Sequence, residues 1–194
     1  MSSPKPSRSR ERLLLTFQQL LADQDYCDIS LSQILVRAEV SKTTFYRHFS
    51  NKLELFVAMH DRIIESLLSE LNERSQWLAV GANAGVLSVS QQITSKASAR
   101  RSMAHKLGND WPLAQRMIKR QLCRGIERRL QQAFGKPQND PVCAALGSPL
   151  AAVFLDYLGQ LNHQLNGQPV ELKATELQWV VRAIVAAAVA EQRL

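Results

Sequence analysis

Ser41, Lys42, Thr43, Thr44, Tyr46, Arg47 and His48 stand within ten positions, SKTTFYRHFS, that also hold Phe45 and Phe49. Their hydroxyls, ammonium, guanidinium and imidazole are hydrogen-bond donors suited to an anion or to the edge of a base, and they form no nucleophile and base pair. The rest of the chain has no G-x-S-x-G, H-E-x-x-H, Gly-rich phosphate loop or EF-hand, and His48, His60, His105 and His163 lie far apart. Cys27, Cys123 and Cys143 are odd in number and lack C-x-x-C or His-paired spacing, which argues against a disulfide framework or zinc site and for a reducing cytoplasm. Recognition rather than bond-breaking is the expectation, with no enzymatic activity, metal or cofactor.

Turned through about 100° per residue, the stretch divides into two faces. Phe45 and Phe49 share one side, Thr43 and Arg47 lie opposite, and Thr44 and Tyr46 take the shoulders. The aromatics fasten the helix to its neighbours and the opposite face is offered outward. A helix over 42–49 is about 12 Å long and the major groove of duplex DNA roughly 12 Å wide, so the helix fits the groove. Arg and Lys match guanine edges, a threonine methyl matches the thymine methyl, and Tyr, Ser and free helix amides match phosphates.

The elements that would position this face are short helices with recognisable caps. A first helix is expected from about Arg8 to Ala22, carrying Leu13, Leu14, Phe17, Leu20 and Leu21 at helical intervals, with a break from Asp23 to Ile29. Ser30, with Gln33 three residues on, has the pattern of a capping box and opens a helix to about Glu39. Ser41 caps the next, over about 42–49, and Asn51 with Glu54 starts a longer one running through Leu55, Phe56, Met59, Ile63, Ile64, Leu67, Leu68 and Leu71. Two consecutive short helices joined by a tight turn form a helix-turn-helix pattern.

Residues 30–56, SLSQILVRAEVSKTTFYRHFSNKLELF, resemble the DNA-binding region of TetR-family (tetracycline-repressor-like) transcriptional regulators through the Ile34–Val40 stretch, the SKTTFYRHF helix and the F-x-x-K-x-x-L run of Phe49, Lys52 and Leu55. Glu39 stands at the turn position usually held by glycine, and Asp25 at another frequent glycine site. At Glu39 this implies either strain or a different turn geometry. The resemblance implies DNA contacts from Ser30, Ser41, Lys42, Thr43, Thr44, Tyr46, His48 and Lys52, with Tyr46, His48 and Lys52 on phosphates and Lys42, Thr43 and Thr44 reading bases. Arg47 joins them by its facing. His48 is open to a second reading, packing beside Phe49. The implied fold is all-α: a basic arm at 1–7, a helix-turn-helix DNA-binding domain at 8–53, and a larger helical effector-binding and dimerisation domain at 54–194.

Net charge is +7. Residues 1–12 hold Lys5, Arg8, Arg10 and Arg12 against Glu11, and read as a mobile basic arm, with Arg8 and Arg10 following the minor groove, or as a solubilising tail. Residues 96–136 hold eleven Lys and Arg against Asp110 and Glu127, a net of +9, which suits an anionic effector, an acidic partner, extra DNA contact or a merely solvated face. If the run serves DNA, replacing Arg128 and Arg129 with Ala flattens the salt dependence of binding.

GANAG at 81–85 reads as a loop, followed by helices over about 86–107 and from Asp110 and Pro112 to Gly135. Residues 136–147 read as a loop, with Ser148 and Pro149 opening a helix that holds Leu150, Phe154, Leu158, Leu161 and Leu165 and stops at Gly167. A last helix covers about 172–190. No run approaches a membrane span, so no membrane partner is expected. The last two helices carry more apolar surface than one buried stripe needs, and suit either the centre of a bundle or a homodimer interface. The resemblance implies that interface, a palindromic double-stranded DNA operator, and a pocket for a small-molecule effector. Met103, His105, Trp111, Met117, Cys123, Phe154 and Tyr157 are either its lining or core filler. Repression released by effector is the expected function; a DNA-organising or bridging protein without effector is the other reading left open.

Overall fold

Leu13, Phe17 and Leu20 recur along one face of the first helix, and burying that stripe is what seats the short helices that follow. The computed structural model describes residues 8–95, 107–162 and 168–194, which are helical with no strand among them. The arm at 1–7, residues 96–106 of the expected 86–107 helix, with Met103 and His105, and the Leu165 to Gly167 stop lie outside the described residues. The described residues form two compact units, one of 8–61 with 107–117, the other of 62–95, 118–162 and 168–194.

In the first unit α1 (Arg8–Asp23) packs on α2 (Leu31–Ala38), α3 (Lys42–His48) and α4 (Lys52–Ala58). Phe17, Tyr26, Ile34, Phe45, Phe49, Leu55 and Phe56 are buried between them. Tyr26 stands edge-on to Phe17 and Phe56, at 6.3 and 5.7 Å between ring centroids. Arg8, Arg10 and Arg12, expected in a mobile arm, lie in the first turns of α1.

The helix expected to run unbroken from residue 52 through Leu71 is interrupted. α4 ends at Ala58 and α5 (Asp61–Leu67) begins after Met59 and His60. The His60 amide donates to Val57 O at 3.0 Å, a tight i−3 bond, while its ring Nδ1 lies 3.0 Å from Phe56 O, the acceptor that an unbroken α-helix would give the amide. The side chain thus competes with the backbone, and apolar spacing carries no sign of that contest.

In the second unit α6 (Arg74–Trp77), α7 (Ala84–Thr94), α8 (Trp111–Ala133, from residue 118), α9 (Pro141–Asn162) and α10 (Val170–Ala190) surround Leu67, Leu68, Trp77, Val89, Leu122, Ile126, Phe154 and Val185. α10 packs on α9, α7 and α6. GANAG is only partly a loop, because Asn83 Oδ1 accepts from the amides of Gly85 and Val86 at 2.7 and 3.2 Å and starts α7. A Cβ on Gly85 would stand 2.1 Å from the Ser66 carbonyl oxygen, so only glycine permits this approach.

α9 begins seven residues earlier than the expected start at Ser148. Asp140 Oδ1 accepts from the Val142 and Cys143 amides at 3.0 and 2.9 Å, Pro141 takes the first helical position, and Pro149 falls inside the helix. Pro149 cannot donate to Ala145 O; both residues are exposed, where water can satisfy that carbonyl. The continuous helix corrects a second expectation, since Pro141–Leu161 is long and apolar enough by composition to cross a bilayer, with mean hydropathy 1.6. Its Leu150, Ala151, Phe154, Tyr157 and Leu161 belong to the core of the second unit.

Candidate nucleic-acid interface

α3 is held from its buried side. Phe45 and Phe49 are 0% and 3% exposed, their rings 5.8 Å apart, whereas Lys42, Thr43, Tyr46 and Arg47 are exposed on the other side and Thr44 and His48 are half-buried. The helix therefore presents the residues that its periodicity assigns to the outward face. Tyr46 keeps half of its surface exposed while its ring edge packs on Phe45 at 5.4 Å, so the hydroxyl is carried on a braced ring.

The caps fix where α3 starts and leave donors to spare. Ser41 Oγ accepts from the Thr44 amide at 3.2 Å and donates to Thr44 Oγ1 at 2.9 Å, so the Thr44 hydroxyl keeps its own proton for an outside acceptor. Ser30 Oγ accepts from the Gln33 amide at 3.1 Å and likewise keeps its proton. The return half of the expected capping box is absent, because Gln33 Nε2 donates to Gln24 at 3.0 Å and ties α2 to the end of α1. At α4, Asn51 Oδ1 accepts from the Glu54 amide at 2.8 Å, and Glu54 reaches back to the Ser50 amide at 2.6 Å.

The α2–α3 turn is left-handed at Glu39, with φ 48° and ψ 47°. The Glu39 amide donates to Val36 O at 3.1 Å and the Val40 amide to Leu35 O at 3.0 Å, the paired bonds of a Schellman ending. Such an ending is ordinarily built on glycine; a side chain there costs about 1–2 kcal/mol. Arg12 compensates: its guanidinium donates to Ala38 O, to Glu39 O at 3.1 Å and to Glu39 Oε2 at 2.9 Å.

Two residues expected at DNA also hold internal partners. Lys52 Nζ donates to Tyr26 O and Ile29 O, both at 2.7 Å, and stands 4.1 Å from the Tyr26 ring centroid, which makes it an internal clamp with one N–H left for the phosphate expected of it. Burial lowers its pKa, partly offset by nearby Cys27, Asp110 and Asp28. Arg10, expected along the minor groove, pairs with Asp61 at 3.1 Å and lies 5.6 Å from the Phe49 ring centroid. Tyr26 donates to Asp110 Oδ2 at 2.9 Å, and burial, then this bond, raises its pKa well above the usual phenol value. Burial, then the Arg47 and Arg10 charges, holds the His48 imidazole below its ordinary pKa, so it is a neutral donor near neutrality.

Of the residues expected around an effector, Met103 and His105 lie outside the described residues and the others divide between the two units. Phe154 and Tyr157 are core residues of the second unit, Cys123 is half-buried at the edge of that core, and the Tyr157 hydroxyl lies 2.7 Å from Ser90 Oγ. Trp111 and Met117 belong to the other unit. Of the basic run, Arg129 is turned inward, donating to Asn72 Oδ1 at 2.5 Å and Glu65 Oε2 at 2.8 Å, while Arg128 approaches the same Glu65 at 3.8 Å. Arg116, Arg120 and Arg124 are exposed at four-residue steps on α8.

Residues 18–59 match the model for bacterial regulatory proteins of the tetR family. The chain is similar to the HTH-type transcriptional activator FasR of Mycolicibacterium smegmatis, 36% identical over 70 residues that make up 36% of this chain and 32% of FasR. It therefore spans about a third of that relative's length. By fold it is similar to the TetR family repressor AlkX of a Dietzia species, implicated in biodegradation of n-alkanes, with TM-score 0.57 and 16% identity over 95% of this chain and 98% of AlkX. It is also similar to Thermus thermophilus FadR, a TetR-family repressor solved with lauroyl-CoA, with TM-score 0.54 and 16% identity over 89% of this chain and 92% of FadR.

Proposed function

We propose, from the premise that this chain belongs to the tetR family of bacterial regulatory proteins, that it is a sequence-specific DNA-binding transcriptional regulator of the bacterial cytosol. The observation that carries this reading is α3, anchored by buried Phe45 and Phe49 and presenting Lys42, Thr43, Thr44, Tyr46 and Arg47 outward. Thr43 and Arg47 point straight away from the core and read base edges with Lys42 and Thr44. Tyr46, Ser30 and neutral His48 donate to phosphates, which set the register of the helix without reading sequence, and Ser41 holds Thr44 in place. Residues 8–53 form the reading head and 54–194 the effector-binding and dimerisation part.

One helix of this length addresses only a few base pairs, and a two-fold dimer doubles the reading. Leu172 and Trp179 are 47% and 66% exposed on α10, and Trp179 shares its side with Ala183 and Ala187, also exposed. With exposed Ala145 and Ala152 of α9 they offer an apolar face that a second copy covers, and the operator is a palindrome with half-sites about one helical turn apart. Repression is the simplest mode, since occupancy of a promoter suffices, and a small-molecule effector releases it. AlkX and FadR, both repressors, support that mode, and the lauroyl-CoA bound to FadR supports a small-molecule effector.

The test is selection of bound duplexes from a random library by the full chain. A palindromic consensus bound about a thousandfold over random DNA is expected. Salt-steep binding with no consensus means a DNA-organising protein instead, and the absence of any bound duplex removes DNA as the partner.

A further inference from the structure

Most helix-turn-helix turns of this geometry leave their left-handed position to glycine, and here the position belongs to Glu39 at φ 48°. What holds it comes from outside the motif. Arg12, in the second turn of α1, is 26 and 27 residues away in sequence from the two carbonyls it binds, those of Ala38 and Glu39, and it also pairs with the Glu39 carboxylate. Both carbonyls lie at the C-terminal end of α2, where the helix has no amides left to offer them and where a cation is favoured. The ion pair alone is a minor part of the effect, since the Arg12 and Glu39 side chains are 47% and 84% exposed and water screens them. One nitrogen, Nη2 at the tip of the guanidinium, makes both backbone contacts, and it stands one bond farther from the backbone than a lysine ammonium reaches.

Resting on the DNA-binding reading above, we propose that Arg12 is a positioning residue for operator recognition: it replaces glycine's conformational freedom at the turn and thereby fixes the angle at which α3 leaves α2. Arg12 touches no base in this account. It acts through Glu39, and Val40, whose amide bonds to Leu35 O at 3.0 Å, reports on the turn directly.

The test is a cycle of Arg12→Ala, Glu39→Gly and the double variant, with Arg12→Lys as the charge-conserving control. Affinity for the selected duplex is measured across a salt series, and hydrogen exchange of the Val40 amide is measured without DNA. Arg12→Ala weakens binding about tenfold with the salt slope unchanged, and speeds Val40 exchange by a similar factor. Glu39→Gly binds at least as well as the parent, and the double variant recovers to within about threefold of it because glycine holds the turn unaided. Arg12→Lys stays weakened although its charge remains. A salt slope reduced by about one with Val40 exchange unmoved would make Arg12 a phosphate ligand and overturn the proposal. So would a double variant as weak as Arg12→Ala. If the parent binds no duplex, the regulator reading fails, while the exchange cycle still decides whether Arg12 holds the turn.

Discussion

Lys52 spends two of its three N–H donors on the Tyr26 and Ile29 carbonyls and covers the Tyr26 ring. Lys52→Ala strands the Ile29 carbonyl, while Tyr26 O keeps the Ile29 amide at 3.3 Å, and should cost about 1–2 kcal/mol in urea unfolding, with the salt slope of DNA binding unchanged; a slope lowered by about one would mark a phosphate contact after all. His60 is held neutral by burial, the backbone bonds only partly opposing that shift. A base with a depressed native pKa stabilises fully above its unfolded value, near 6.5, and loses that contribution as pH falls toward the native value. Melting temperature should therefore drop from pH 7.5 to 5.5, and His60→Leu should flatten the fall. His48, also depressed, follows the same rule in the absence of DNA, but a phosphate beside it favours the protonated form. Operator affinity should rise as pH falls below about 6.5, and His48→Gln should remove that rise; an unchanged pH profile would assign His48 to packing against Phe49. The caps at Ser30, Ser41 and Asn51 were legible because a cap acts over three residues. Arg12 and Lys52 were not, since their partners lie more than twenty residues away, and only the misplaced Glu39 signalled that something must compensate.

At the scale of elements, α3 was legible because burial of two aromatics on one face leaves the other face no choice. The break between α4 and α5 was hidden, since Leu55, Phe56, Ile64 and Leu67 keep helical spacing across it while His60 takes the carbonyl of Phe56. The early start of α9 was hidden by Pro149, which resembles a helix opening but is tolerated inside the helix on an exposed side. The exposed side of α10 carries its own prediction. Trp179→Arg places a charge in the proposed dimer face, and sedimentation should show monomers with helical content retained and operator affinity lowered about a hundredfold or more. A variant that remains a dimer would move the interface off α10.

For the whole molecule, the all-helical class and the helix-turn-helix were readable from caps and spacing alone. Which residues would line an effector pocket was not, because Met, Cys and aromatic residues serve equally as core: Phe154 and Tyr157 are core residues of the second unit. The account as a whole depends on the α3 face meeting DNA bases in pairs. The most direct measurement is single-base footprinting of the full chain on its selected duplex, compared with Arg47→Ala. The account predicts two symmetric protected half-sites about one helical turn apart, with Arg47→Ala losing affinity and relaxing base preference at one position in each. Uniform protection without sequence preference, or an Arg47→Ala footprint identical to the parent's, would contradict it.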